Sequence, residues 1–351
     1  MAHLPLDIIA NVVDELSGDI SSLRSLCLLC SMVAPFCQRY IFSTIDIQSF
    51  HDSEGGISNR RLLILFEAMH LSHHLPTYVR TLRYKLAEDD SRNAVLRSIL
   101  RKLRHVENFQ IRNRNGASHG IDWNTLDSGF IADLFGIIHG DKLATLGFTY
   151  LHNIPLSIFS SASQTLKSLS VYYGYFLDDL SNCLIERDHP LQFVNFTCCH
   201  SASKSINILL RAMPATVDFS RLKYLAVSWD DDEDVAATES LGRITNKLER
   251  LQCRGSNSSL LVFLFTLISS PVAPNISISQ LGAKIVGASQ KPGITTIAAV
   301  RKDRIPRDQF NFLCTRTRAS NSNNGDREGV EELKTVVTGR RLALYDVAIE
   351  G

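Results

Sequence analysis

Seven segments of this chain share one short pattern: an apolar residue, two unrestricted positions, a second apolar residue, one further position and a third apolar residue. They read "VRTLRY" from 79, "VENFQI" from 106, "LATLGF" from 143, "LKSLSV" from 166, "LQFVNF" from 191, "LKYLAV" from 222 and "LERLQC" from 248. Their second anchors, Leu82, Phe109, Leu146, Leu169, Val194, Leu225 and Leu251, are separated by 27, 37, 23, 25, 31 and 26 residues. Alternation after that anchor is the signature of a strand with one buried face. Helix-like runs such as "NAVLRSILRKL" and "DLFGIIHGDKL" lie between the strands. A strand and a helix cannot close a core alone, so recurring pairs must stack on one another.

Four of the six steps match the length of a leucine-rich repeat, and the longest contains "NGASHGIDWN", which reads as a loop. The asparagine ladder usual after such strands is missing from most units, so the array expected here is degenerate. The competing reading is an α/β globular domain whose buried strands merely share an L-x-x-L beginning. A length of 351 residues suits either two domains or one elongated array.

The amino-terminal stretch obeys a different period. Ile8, Ile9, Val12, Val13 and Leu16 fall on one helical face, with Asp7, Asn11, Asp14 and Glu15 opposite. Pro5 suits the helix start, and Gly18 is expected to end the helix in left-handed geometry. A second helix is predicted from about Ser22, with Leu23, Leu26, Cys27 and Cys30 on one side, and a third begins at Pro35. "IFSTIDI" then alternates like a short strand.

"LPLDII", Leu16, Asp19, "LRSLCLLCSMVAPFCQRYIF" and "STIDI" together resemble an F-box in the form common among fungal F-box families, over about the first 47 residues. The resemblance implies a three-helix hook that docks on the Skp-type adaptor of a cullin-RING ubiquitin ligase. It assigns adaptor contact or support of the hook to Leu4, Pro5, Ile8, Ile9, Leu16, Leu26 and Leu28. Asp7 stands where Glu is more usual, and Phe36 where many members carry Trp. The expected fold is therefore α/β, an N-terminal three-helix F-box followed by an irregular leucine-rich-repeat solenoid. Its parts are a helical domain over 1–50, a connecting helix over 51–75, the repeats over 76–270, an irregular segment over 271–328 and a terminal repeat or cap over 329–351. In that cap, Glu332, Leu333, Val336 and Val337 suit a short helix and "LALYDVAI" a final strand. The implied function is that of the substrate-recognition subunit of a Skp-cullin-F-box ligase in the ubiquitin conjugation pathway. The alternative is a leucine-rich scaffold without a role in ubiquitin transfer.

A formal net charge of +1 offers no argument for nucleic acid or an anionic membrane surface as partner. The longest apolar run, around Leu260 to Leu267, is far below the roughly 20 residues that span a bilayer. The first twenty residues lack the basic start of a secretory signal, and the eight Cys form no disulfide framework, so the expected location is cytoplasmic or nuclear. Cys27, Cys30 and Cys37 lack the fourth convergent ligand of a structural zinc site. His70, His73 and His74 share a helical face that exposed surface explains. Asp230 to Asp234 begins like a calcium loop but places Val235 where Gly is needed and Leu241 where Glu is needed. Phosphate-loop, dinucleotide and nucleophile-elbow motifs are missing. The expectation is a receptor that is not an enzyme and holds no metal or cofactor, whose partners are the adaptor, the cullin and an unknown target protein.

For that target, the outward residues of the strands are the candidates: Arg83, Lys85, Arg112, Tyr172 and Arg254, with Gln110, Ser170, Thr197 and Gln252 beside them. No Asp or Glu occurs among these outward positions, which points to an acidic or phosphorylated target segment.

Overall fold

A computed structural model describes residues 5–48, 60–116, 120–178, 189–213, 215–228, 230–245, 248 and 250–256, and strands at 294–298, 313–317, 332–338 and 341–344. The chain divides into two compact units, residues 1–166 and 167–351.

The first unit opens with three helices, α1 (Leu6–Glu15), α2 (Ile20–Leu29) and α3 (Ala34–Ile41). Val13, Leu23, Val33 and Cys37 form their buried centre, with Ile9, Leu16, Leu26, Phe36 and Tyr40 packed around it. Pro35 sits in the first turn of α3, where a missing amide donor costs nothing. Gly18 does not take the expected left-handed backbone. The Leu16 carbonyl instead accepts the Asp19 amide at 2.8 Å and turns the chain.

Strand β1 (Thr44–Gln48) leaves this lobe and enters a parallel sheet at once, pairing Thr44 with Thr81 and Gln48 with Lys85. Helices α4 (Arg60–Leu71) and α5 (Leu75–Tyr78) carry the chain to β2 (Thr81–Leu86). Then come α6 (Ala94–Lys102), β3 (Asn108–Asn113), β4 (Ile121–Asp122), α7 (Ser128–Ile138), β5 (Thr145–Thr149) and β6 (Leu151–His152). The sheet order is β1-β2-β3-β5, and β4 pairs separately with β6. Alternation places Leu82, Tyr84, Leu86, Phe109 and Ile111 inside, against Leu96, Ile99, Phe130 and Leu134 of α6 and α7. The Tyr84 ring meets Phe130 edge to face, and its hydroxyl donates to Asp90 Oδ2 at 2.6 Å. That same carboxylate oxygen accepts the Ala87 amide at 2.9 Å.

The second unit repeats the principle with β7 (Ser168–Tyr172), the short β8 (Leu191–Gln192), β9 (Asn195–Cys199), α8 (Ala202–Arg211), the short β10 (Val217–Asp218), β11 (Tyr224–Ser228), α9 (Asp232–Ile244) and β12 (Arg250–Ser256). β7, β9, β11 and β12 are parallel neighbours in that order, and β13 (Ile294–Ala298) adds to β12 antiparallel. β14 (Leu313–Thr317), β15 (Glu332–Thr338) and β16 (Arg341–Leu344) form an antiparallel sheet of their own.

The leucine-rich-repeat solenoid expected from the period is overturned by this architecture. Every L-x-x-L-x-apolar segment does supply a strand, but these strands belong to central parallel α/β sheets. A repeat array needs like units in like contact. Here the connections differ: α4 with α5, then a 3-10 turn with α6, then β4 with α7, and later α8 with β10. The first unit's sheet also begins at β1, which carries no L-x-x-L signal, and in the second unit β13 pairs antiparallel with β12. Among the described residues, the parallel strands of each unit's main sheet follow chain order. The helix expected around Glu332 to Val337 is strand β15, in keeping with its β-branched run Thr335 to Thr338. Strands β13 and β14 fall within the segment read as irregular. Among the described residues, no helix is long and apolar enough to cross a membrane.

Asp90 is buried at 2% exposure. Replacing it by Ala leaves the Tyr84 hydroxyl without its acceptor in the core, at a cost of about 1–3 kcal/mol. Urea unfolding of Asp90→Ala is expected to show that loss, and an unchanged midpoint would mean that water reaches this hydroxyl.

Candidate docking surfaces

Helix α1 is apolar over a wider arc than its own core uses. Val13 is fully buried and Ile9 and Leu16 are half-buried, while Ile8 and Val12, one turn apart, remain 47% and 50% exposed. The same excess continues at the end of α2 and beyond, where Leu28 and Leu29 are 88% and 80% exposed and Met32 is also exposed. A shallow groove of about 310 Å³ lies between these helices, lined by Leu16, Leu26 and Leu29 with Ser21, Ser22 and Ser25. The sequence candidates therefore divide. Pro5, Ile8 and Leu28 face outward, and Ile9, Leu16 and Leu26 pack on the lobe's core. Leu4 lies outside the described residues.

Asp19 sets the start of α2 and so the wall of the groove. Its Oδ1 accepts the amides of Ser21 and Ser22, each at 3.1 Å, and both serine hydroxyls donate to the carboxylate at 2.6 Å. These donors favour the charged form and hold the carboxyl down at about 2, against 3.8 ordinarily. A lowered folded value means that the cap's stabilisation is complete above the unfolded carboxyl value and is lost as pH falls through about 2. Asp19→Ala is thus expected to melt below the wild type at pH 6, with the gap closing as pH approaches 2. A gap independent of pH would show that the charge of Asp19 is irrelevant.

In the first unit, Arg83, Lys85, Gln110 and Arg112 project from the sheet face opposite the helices, and all four are exposed. Register places Asp46, Arg83, Gln110 and Gly147 in one row, and Gln48, Lys85, Arg112 and Thr149 in the next. Arg83 Nη1 stands 3.9 Å from Asp46 Oδ1, and Lys85 Nζ donates to Gln48 Oε1 at 2.9 Å. The acidic neighbour comes from β1, so this face is not purely cationic. Its signal was present in "STIDI", whose Asp46 and Gln48 alternate outward like the later strands. Arg112 is the outward cation without a partner among the described residues. Tyr172 and Arg254 belong to the second unit. They occupy one register row, Tyr172–Cys199–Ser228–Arg254, three strand spacings or about 14 Å apart. Tyr172 is partly exposed, and desolvation raises its hydroxyl above the usual phenol range.

Cys37 is buried with Cys27 packed against the same cluster, while Cys30 is exposed. Cys198 is buried and Cys199 only partly so, on alternate sides of β9. His70 stacks on Phe66, and His74 Nε2 is 3.1 Å from Gln38 Oε1. Asp231 caps α9 by accepting the Asp234 amide at 2.9 Å. The buried Asp234 accepts the amides of Ser203 at 2.6 Å and Asp230 at 2.8 Å. Among the described residues, no group of three His, Cys, Asp or Glu side chains is placed to hold a metal ion.

No family model matches the chain, and no curated protein matches it either.

Proposed function

We propose that the chain is the substrate-recognition subunit of a Skp-cullin-F-box ubiquitin ligase, acting as a receptor and not as an enzyme. The observation that carries this reading is the apolar surface of the amino-terminal lobe. Ile8, Val12, Leu28 and Leu29 are exposed beside a core that is already complete without them. Apolar side chains left in water on a folded lobe favour burial against a partner, at about 25 cal/mol per Å² covered. The resemblance of the first 47 residues to an F-box gives that partner its class, a Skp-type adaptor bound in turn to a cullin. Target protein then falls to the sheets. In the first unit the face lined by Arg83, Lys85 and Arg112 suits an acidic or phosphorylated segment, since Arg offers forked donors to carboxylate and phosphate. Ubiquitin transfer needs no nucleophile from the chain itself, because tethering a target near a charged enzyme raises its effective concentration.

Docking is tested by titrating the full chain with a purified Skp-type adaptor. Ile8→Lys with Leu28→Lys is expected to weaken binding by about tenfold or more. Stability should move by no more than about 0.5 kcal/mol, as at other exposed positions. Unfolding of the double variant, or unchanged adaptor affinity, refutes the docking surface.

Target recognition is tested separately with acidic and phosphorylated peptides. Arg112→Ala is expected to weaken their binding, and so is raising salt, which screens exposed charges beyond about 8 Å at physiological strength. Affinity that ignores both changes places the target elsewhere.

A further inference from the structure

Helix α4 of the first unit carries apolar surface that its own unit does not use. Leu62 and Met69 are buried on its inner side. Lys102 of α6 fixes the rotation of the helix, donating to the Met69 carbonyl at 3.2 Å with Nζ 5.5 Å from the centre of the Phe66 ring. The opposite side is left in water. Leu63, Ile64 and Leu71 are 45%, 57% and 82% exposed, where a surface helix ordinarily presents polar residues.

Charge on that side follows the same period. Arg60, Ile64, Glu67 and Leu71 stand four, three and four residues apart, which aligns them in one stripe along the helix with Leu63 beside it. Arg60 and Glu67 are both exposed. Their separation of seven residues lies beyond the three and four at which charges on one helix pair. Neither has an ion-pair partner among the described residues.

We propose that α4 is the contact through which two copies of this chain associate, the two helices packing antiparallel about a two-fold axis. End-to-end reversal sets Arg60 level with Leu71 of the second copy and Ile64 level with its Glu67. Each Glu67 then lies about one helical turn from the opposite Arg60. A parallel copy would instead set Arg60 beside Arg60 and Glu67 beside Glu67, and like charges oppose that arrangement. A foreign partner of one charge sign meets one complement and one like charge on this stripe. A reversed copy meets two complements and covers Leu63, Ile64 and Leu71 on both sides, as a self-complementary two-fold interface requires. Twelve residues of helix extend only about 18 Å, a contact below the roughly 1,200 Å² of standard interfaces, so the association is weak and reversible. It shares no residue with the adaptor-docking surface, and either can fail without the other.

Sedimentation equilibrium of the full chain without adaptor, between about 5 and 200 µM, should show a reversible monomer–dimer equilibrium, as a contact below standard size implies. Ile64→Lys should weaken it by about tenfold or more while the melting temperature stays unchanged, since the residue is exposed. Glu67→Arg should weaken it about fivefold by leaving only cations on the stripe. Arg60→Glu combined with Glu67→Arg restores opposite charges across the axis and should recover the wild-type affinity to within about twofold. Non-specific association of apolar surface would show no such recovery. Should Ile64→Lys fail to fold, the two charge variants decide the matter alone. A chain that stays monomeric at the highest concentration, undiminished association of Ile64→Lys or Glu67→Arg, or a double variant no better than Glu67→Arg overturns the proposal.

Discussion

Strand alternation against a single layer of helices is the constraint on which the first unit depends. Once Leu82, Tyr84 and Leu86 turn toward α6 and α7, Arg83 and Lys85 have no choice but to face the other way. A slip of one residue would exchange the two sets and bury both cations, at a cost that unpaired charge in a core makes prohibitive. Asp90 adds to this fixity, because one carboxylate oxygen serves both the end of β2 and the hydroxyl of Tyr84. Parallel sheets generally have both faces covered. The face that carries the exposed Arg83, Lys85, Gln110 and Arg112 departs from that rule.

The lobe and the sheet of the first unit are joined at their backbone. Thr81 and Arg80 both donate to the Ser43 carbonyl, and β1 then pairs along its whole length with β2. A partner that grips α1 and α2 is thus connected to the sheet through α3 and β1 instead of through a slack linker. His74 on Gln38 adds a side-chain tie between the lobe and the segment after α4.

Much of this was legible because it is local. The L-x-x-L-x-apolar period marked strands, and the paired apolar stripes marked α1 and α2, since both signals arise from a face meeting a core within a few residues. What the period does not encode is how successive strands are connected, which is why like anchors suggested like repeats and a solenoid where unlike crossovers build parallel sheets. Asp46 became a neighbour of Arg83 only through pairing across 37 positions of sequence. The segment at Glu332 misled for a related reason: a four-residue apolar spacing fits a short helix, while the β-branched Thr335, Val336, Val337 and Thr338 favour the extended chain that it adopts.

The strand ends were the least legible part, and they are where the backbone is most strained. Among the described residues, every non-glycine residue with positive φ lies just past a strand: Tyr150 and Asn153 after β5 and β6 in one unit, Tyr173, His200 and Ser201 after β7 and β9 in the other. Asparagine and histidine take that conformation more readily than most residues, but tyrosine does so at a cost of order 1–3 kcal/mol. No periodicity reports such a cost, because it is set by where the next helix must begin. The carboxyl ends of parallel strands are also where the chain must turn and its side chains splay outward. In the second unit the side chains carried by two such turns, Tyr173 and His200, stack on one another beside the Asp230 carboxylate.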